Sequence, residues 1–269
     1  MKFDTLIRFA YIETQLYWGD GIAASDLVNT FQLTRQTAQN ILNVYREQYP
    51  RHMRYDKSLK RHVPEEDFVP HYISQETMAF LDYLLGQNLR AHYLNETDWS
   101  DIELTNVDRL LRTKLPRQVI QPILAALRHQ KTVLIEYQPV APDDIQVRVI
   151  SPNHLVFADN RYHLHAYCHE KQRHLDFVLS RIVYVEQANE EWVSSSGSRE
   201  WQEFVTLRFR PNRELPQAVQ ETLLRGHPKN EKGIWEIRCR KNEAFYVRQK
   251  LLKAVDTHRG MPLWIEIED

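Results

Sequence analysis

Hydrophobic positions at the start of the chain recur with the period of a helix. Phe3, Ile7, Ala10 and Tyr11 stand at i, i+4, i+7 and i+8, an apolar stripe that stops before Gly19-Asp20-Gly21. Leu27, Val28 and Phe31 predict a second, shorter helix, with Ser25 and Asp26 placed to cap or open it and Gln32-Leu33 as the turn that follows. Thr34 is an N-cap candidate for a third helix, whose buried stripe is Ala38, Ile41, Leu42 and Tyr45 and which Pro50 forbids from continuing. This is helix-turn-helix spacing. Beyond it, Met53-Arg54-Tyr55 and Lys60-Arg61-His62-Val63 flank Asp56-Lys57-Ser58-Leu59, which predicts a short hairpin with a cationic tip, a wing.

The other face of the third helix carries Gln36, Gln39, Asn40 and Asn43 at i, i+3, i+4 and i+7. A merely solvated helix more often shows Glu and Lys pairs there. Amides donate and accept together, matching N6 and N7 of adenine in the major groove, and Arg35 at the helix start can reach a guanine edge or a phosphate. Thr34, Thr37 and Arg46 on the same helix are expected to share in DNA contact, with Arg54, Lys57, Lys60 and Arg61 supplied by the wing. The alternative for this segment is a helical module that binds protein, since a fold does not fix a function.

From Ser74 to about Gln130 the pattern is helical. Ser74-Gln75-Glu76-Thr77 resembles a capping box, Met78, Leu81, Leu85 and Leu89 continue the stripe, and Leu104–Leu115 breaks at Pro116 before Ile120, Ile123, Leu124 and Leu127 resume it. At Val133 the period turns strand-like: Val133–Tyr137, Val147–Ile150 before Pro152, Leu155–Ala158, a turn at Asp159-Asn160, Arg161–Cys168 and Leu175–Ile182. Ser194–Ser198 reads as a flexible linker. Past it, strand 204–210, helix 215–225, strand 233–240, helix 243–254 and strand 262–268 form a βαβαβ order that suggests a small ferredoxin-like domain.

Charge sharpens the first part of this picture. Between Gln32 and Val63 seven Lys and Arg face two carboxylates, whereas from Glu65 to Leu104 nine carboxylates face the single cation Arg90. A basic module followed by an acidic one points the first at a polyanion. The chain has only seven glycines in 269 residues, where average usage of about 7% would give roughly nineteen. The one tight pair, Gly19 and Gly21, has Ala24 where a third would fall, so neither a dinucleotide fingerprint nor a P-loop can be written. Cys168 and Cys239 stand far apart, which removes zinc knuckles and disulfide frameworks. With no long apolar run and no apolar core after Met1-Lys2-Phe3-Asp4, a soluble cytoplasmic protein without membrane attachment is expected.

Ile135-Glu136-Tyr137, Arg148 with Pro152 four residues on, Leu155-Val156, Arg161–Tyr167 and Phe177-x-Leu179-Ser180-Arg181-Ile182 together resemble the WYL domain, an Sm-like β-barrel of bacterial transcriptional regulators. Tyr162-His163-Leu164 stands where that family usually has Trp-Tyr-Leu. The whole layout resembles the phage-defence repressors of the BrxR/CapW type. It implies an α+β multidomain fold: winged helix-turn-helix at 1–64, helical connector at 65–130, WYL domain at 131–193 and C-terminal extension at 204–269. It also implies a homodimer on an inverted repeat of double-stranded DNA, and an effector, a nucleotide or nucleic-acid fragment, sensed by the WYL domain.

Alternation along Arg161–Cys168 puts His163, His165 and Tyr167 on one face and Tyr162, Leu164, Ala166 and Cys168 on the other. With Arg148 and Arg181 on neighbouring strands, an anionic ligand is expected among Tyr137, Arg148, Tyr162, His163, His165, Ser180 and Arg181. The competing arrangement pairs the two arginines with Asp176 or Glu136 inside the barrel. His163, His165, His169 and His174 lack a carboxylate at ligand spacing, so no metal is expected, and no cofactor or catalytic residue is assigned. A nucleic-acid-processing enzyme and a protein-binding scaffold are the other functional readings; neither acidic metal-ligand clusters nor nucleophile motifs accompany the basic module.

Overall fold

The computed structural model describes residues 3–86, 107–111, 113–140, 145–256 and 259–268. Internal contacts divide the chain into one unit of Met1–Leu110 with Lys114–Ala125, and another of Leu111–Thr113 with Ala126–Asp269.

In the first unit, α1 (Phe3–Tyr17), α2 (Ala24–Phe31) and α3 (Arg35–Gln48) bury Phe9, Ile12, Leu16, Leu27, Leu42 and Tyr45 in one core. Thr34 caps α3 as expected, its side chain accepting the Thr37 N–H at 3.2 Å. The cap of α2 differs. Ala23 holds the N-cap position, and Asp26 acts from inside the first turn, accepting the Ala23 N–H at 2.8 Å. The wing is β1 (Met53–Asp56) and β2 (Arg61–Pro64), antiparallel in the register Met53 to Pro64 and Asp56 to Arg61. It is stitched to the chain before α2 by two backbone bonds, Ile22 N to the His62 carbonyl at 2.7 Å and His62 N to the Ile22 carbonyl at 2.8 Å. Gly21 permits that approach: its φ is +91°, and a Cβ there would fall 2.2 Å from the His62 oxygen.

Helix α4 (Thr77–Leu84) starts one residue after Glu76, with Ser74 accepting the Glu76 N–H at 3.1 Å. The expected continuation through Leu89, with Arg90 and the start of the Leu104–Leu115 run, lies outside the described residues. Helix α5 (Arg117–His129) begins in the first unit, where Arg117 donates to the Tyr17 carbonyl at 2.7 Å and lies 4.0 Å over the Tyr17 ring.

The second unit holds a five-stranded antiparallel sheet in the order β6-β5-β4-β3-β7: β3 (Val133–Tyr137), β4 (Gln146–Ala158), β5 (Arg161–Cys168), β6 (Arg173–Val178) and β7 (Ile182–Gln187). Two expectations are corrected here. Residues 147–150 and 155–158 are one strand rather than two, because a bulge between Pro152 and His154 absorbs the proline's missing N–H. The sheet does not close as a barrel: among the described residues no ladder joins β6 to β7, since the turn Leu179–Arg181 sends β7 to the far side of β3. Asp159 and Asn160, with φ of 49° and 57°, make the two-residue turn between β4 and β5.

Next in the chain come a short helix α6 (Arg199–Gln202), β8 (Phe204–Pro211), α7 (Gln217–Arg225), β9 (Trp235–Arg240) and α8 (Ala244–Leu252). The small hairpin β10 (Val255–Asp256) with β11 (Met261–Pro262), and then β12 (Trp264–Glu266), complete the chain. The sheet β12-β8-β9 is antiparallel with β8 central and packs Leu207, Phe209, Cys239, Ala244 and Trp264 together. The serine run is not a loose linker. Ser195 is buried, its N–H donates to Asn153 Oδ1 at 2.6 Å, and its hydroxyl lies 2.7 Å from His154 Nε2.

Candidate nucleic-acid interface

On α3, burial of Ala38, Leu42 and Tyr45 turns the opposite side outward, and Arg35, Gln36, Thr37, Gln39, Asn40 and Asn43 line one open depression. Gln39 donates to Asn43 Oδ1 at 3.4 Å, and the Thr34 and Thr37 hydroxyls are 2.8 Å apart. Arg35 and Gln39 also border a second groove, shared with Ser25 and Asn29 of α2 and with Tyr55, Lys60 and Arg61 of the wing. The amide face and the basic hairpin therefore edge one concavity.

The wing tip is held by Asp56, whose Oδ1 accepts Ser58 N–H at 2.8 Å, the Ser58 hydroxyl and Leu59 N–H at 3.1 Å. Those bonds, led by the Ser58 hydroxyl, keep the carboxyl below its ordinary pKa. Arg46, Lys57 and Lys60 are exposed. Arg54 lies 3.7 Å from Glu65 in a loose, exposed pair of little energetic weight. Arg61 is different: its guanidinium is 3.2 Å from Asp26, both side chains three-quarters covered.

Behind α3 stands a residue that periodicity does not single out. Glu13, fully buried on α1, accepts the Tyr45 hydroxyl at 3.1 Å, the His71 N–H at 2.9 Å and the Tyr72 N–H at 2.5 Å. It fastens α3 and the chain beyond the wing to α1. Burial, and next the Glu13 charge, push the Tyr45 hydroxyl pKa upward. Its only sequence signal is a carboxylate inside an otherwise apolar helix face.

The face of β5 divides as alternation predicts: Tyr162, Leu164, Ala166 and Cys168 are buried, and His163, His165 and Tyr167 point the other way. That second face is covered rather than open. His165 Nδ1 donates to Asp176 Oδ1 at 2.6 Å, Tyr246 of α8 donates to Asp176 Oδ2 at 2.7 Å, and Trp201 of α6 lies parallel to His154 at 4.0 Å and to His165 at 4.6 Å. Burial opposes ionisation of Asp176, but the bonds from His165 and Tyr246 outweigh it and hold its pKa below the usual value. Burial, then the neighbouring charges of His165, Arg240 and His174, lower His154 to about 4. The Nε2 atoms of His163, His165 and His174 are buried without a hydrogen-bond partner.

Of the expected ligand residues, Tyr137 joins this corner by accepting the Val178 N–H at 3.4 Å, and Val178 pairs with His163. Arg148 does not. It pairs with Ile135, past the end of β5, six residues along β4 from His154, roughly 20 Å at about 3.4 Å per residue. It bonds Gln146 Oε1 at 2.5 Å, and it falls on the side of Ile150 and Cys168, opposite His163. Ser180 is exposed and Arg181 half-buried in the turn before β7. Neither arginine forms an ion pair with Asp176 or Glu136 among the described residues. Among those residues, too, no group of three or more His, Cys, Asp and Glu is placed to hold a metal, and no helix is long and apolar enough to cross a membrane.

Comparison with known proteins agrees with these two regions. The winged helix-turn-helix domain of the BrxR transcriptional regulator matches residues 4–86, and the WYL domain matches residues 118–187. The DNA-binding transcriptional repressor CapW of Escherichia coli (strain KTE188) is 28% identical over 202 residues, which cover 74% of this chain and 67% of that protein. Repressors of the same name from Pseudomonas aeruginosa and Stenotrophomonas maltophilia are 25% identical over 89% and 91% of this chain and 80% and 82% of their own lengths. These names denote regulators, not enzymes. A solved structure, proteasome accessory factor B/C (PafBC) of Arthrobacter aurescens, covers 100% of this chain at 13% identity with a TM-score of 0.29, the chain spanning 46% of it. One chain thus carries a match to a BrxR-type winged helix-turn-helix domain and, after it, a match to a WYL domain, and is similar to DNA-binding transcriptional repressors named CapW.

Proposed function

We propose that this protein is a sequence-specific DNA-binding repressor that binds an inverted repeat as a homodimer and answers to an effector at its WYL domain. The observation that carries the reading is the shared groove, in which the amides of α3 and the cations of the wing face the same space. Gln36, Gln39, Asn40 and Asn43 read base edges, Arg35 reaches a guanine or a phosphate, and Thr34, Thr37, Arg46, Arg54, Lys57 and Lys60 contact the backbone. Two recognition helices related by a two-fold axis place half-sites about 10 bp apart or a multiple of it. The repressors it resembles support repression of transcription; an operon of phage defence as the target and the cytoplasm as the place are part of the same proposal.

The three orphaned imidazole nitrogens support a ligand on the β5 face, with His163, His165 and Tyr137 as its contacts, in a state in which Trp201 and Tyr246 no longer cover that face. A nucleotide or nucleic-acid fragment bound there shifts DNA affinity only as far as its own affinity differs between the two states. The order β12-β8-β9 with β8 central supports a ferredoxin-like reading of the C-terminal domain.

The test is footprinting of the DNA upstream of the protein's own gene at two salt concentrations, with wild type and Lys57→Ala. A protected inverted repeat is expected, and Lys57→Ala should weaken all sequences alike and flatten the salt slope by about one contact. Absence of any protected repeat would refute the repressor reading.

A further inference from the structure

The wing's cations are not equivalent. Lys57 and Lys60 are exposed at the tip, whereas Arg61 is held at 3.2 Å by Asp26, each side chain 26% exposed. Asp26 Oδ2 does two jobs at once, accepting the Ala23 N–H at 2.8 Å to close the first turn of α2 and the Arg61 Nη2 donor from β2. It therefore ties β2 to the first turn of α2, at the residue next to the Ile22–His62 bridge, and Arg61 itself lines the groove bordered by Arg35, Gln39 and Lys60. A guanidinium in that groove stands where a DNA phosphate would seek it, and the carboxylate is the phosphate's competitor for the same donors.

We propose that Asp26 limits the sequence-blind affinity of the winged helix for DNA: it withholds Arg61 from the DNA backbone. Phosphate contacts add affinity to every sequence alike, so a cation withheld from that set lowers binding to all sequences, lowers the salt dependence and leaves discrimination unchanged. This inference rests on the DNA-binding reading.

The test is equilibrium binding of the full chain to its footprinted duplex and to a scrambled duplex of equal length, titrated with KCl. Asp26→Asn keeps an oxygen for the Ala23 N–H but loses the charge that holds Arg61. Its log–log salt slope should steepen by about 0.9, which is roughly 3.5-fold more loss of affinity between 50 and 200 mM salt. Its affinity for the scrambled and the footprinted duplex should rise alike, leaving the preference between them unchanged. Arg61→Gln in the otherwise wild-type chain should leave the slope unchanged, and Asp26→Asn combined with Arg61→Gln should return to the wild-type slope.

An unchanged slope in Asp26→Asn, or a slope shallower by about 0.9 in Arg61→Gln, would overturn the proposal while leaving the DNA reading intact. Only a wild type that binds neither duplex removes both. Should Asp26→Asn fail to fold, the Arg61→Gln arm decides alone.

Discussion

Replacing Gly21 with alanine tests how the wing is attached. At φ +91° an L residue lies in a strained region, costing about 1–2 kcal/mol. The added Cβ would stand 2.2 Å from the His62 carbonyl oxygen, a backbone atom that cannot turn aside. Relief requires the two strands to part, which breaks the Ile22–His62 bonds at 2.7 and 2.8 Å; each is worth about 0.5–1.5 kcal/mol net. The sum is about 2–5 kcal/mol, a large share of the roughly 5–15 kcal/mol that holds a domain folded. The assay is urea unfolding of the full chain, with hydrogen exchange followed separately in peptides from the first unit. Gly21→Ala should lower the midpoint for that unit, speed exchange across the wing and weaken DNA binding. Gly197→Ala is the control: nothing lies within 4 Å of its added Cβ, and it should stay within about 0.5 kcal/mol of wild type. A Gly21→Ala protein as stable as that control would refute the reasoning.

Two further outcomes follow from buried groups. Glu13→Ala should destabilise the first unit by about 2–4 kcal/mol, because it leaves two partly buried backbone N–H groups without their acceptor and the Tyr45 hydroxyl with His52 Nδ1, at 2.8 Å, as its remaining partner; Glu13→Gln, which keeps one acceptor oxygen, should cost clearly less in the same urea titration. The second unit should lose stability in acid. His154 titrates at about 4 in the folded chain against 6.5 for the free imidazole, so the unfolded state binds the proton first. That contribution is whole above about pH 6.5 and fades as pH falls toward 4. In a pH series of denaturation midpoints, His154→Gln should flatten this acid limb, and an unaltered limb would assign it to other groups.

Elements held by local chemistry were legible in the sequence. Thr34 as N-cap, the Ala38, Leu42 and Tyr45 stripe, the Asp159-Asn160 turn and the wing hairpin each depend on residues a few positions apart, where spacing carries the information. What failed to read depends on distant partners. Period-two alternation identifies β3 to β7 but not which strands pair, so barrel closure was expected and is absent among the described residues. The same limit separates Arg148 from His163: alternation gives a face within a strand, and only the register places the two arms of a proposed site at opposite ends of the sheet. Ser194–Ser198 looks flexible by composition, yet Asn153 and His154, some forty residues earlier, supply the bonds that hold it. Glu13 was silent for the same reason, since two of its three donors lie 58 and 59 positions away.

In the proposed complex α3 reads sequence while the wing supplies sequence-blind attraction. The most direct test is the salt dependence of binding by Gln39→Ala to the footprinted duplex and to a scrambled one. Loss of one amide contact to a base edge should cost about 1–3 kcal/mol on the footprinted duplex, roughly 5- to 150-fold, with little change on the scrambled duplex and the salt slope preserved. Equal weakening on both duplexes, or none on either, would contradict the account.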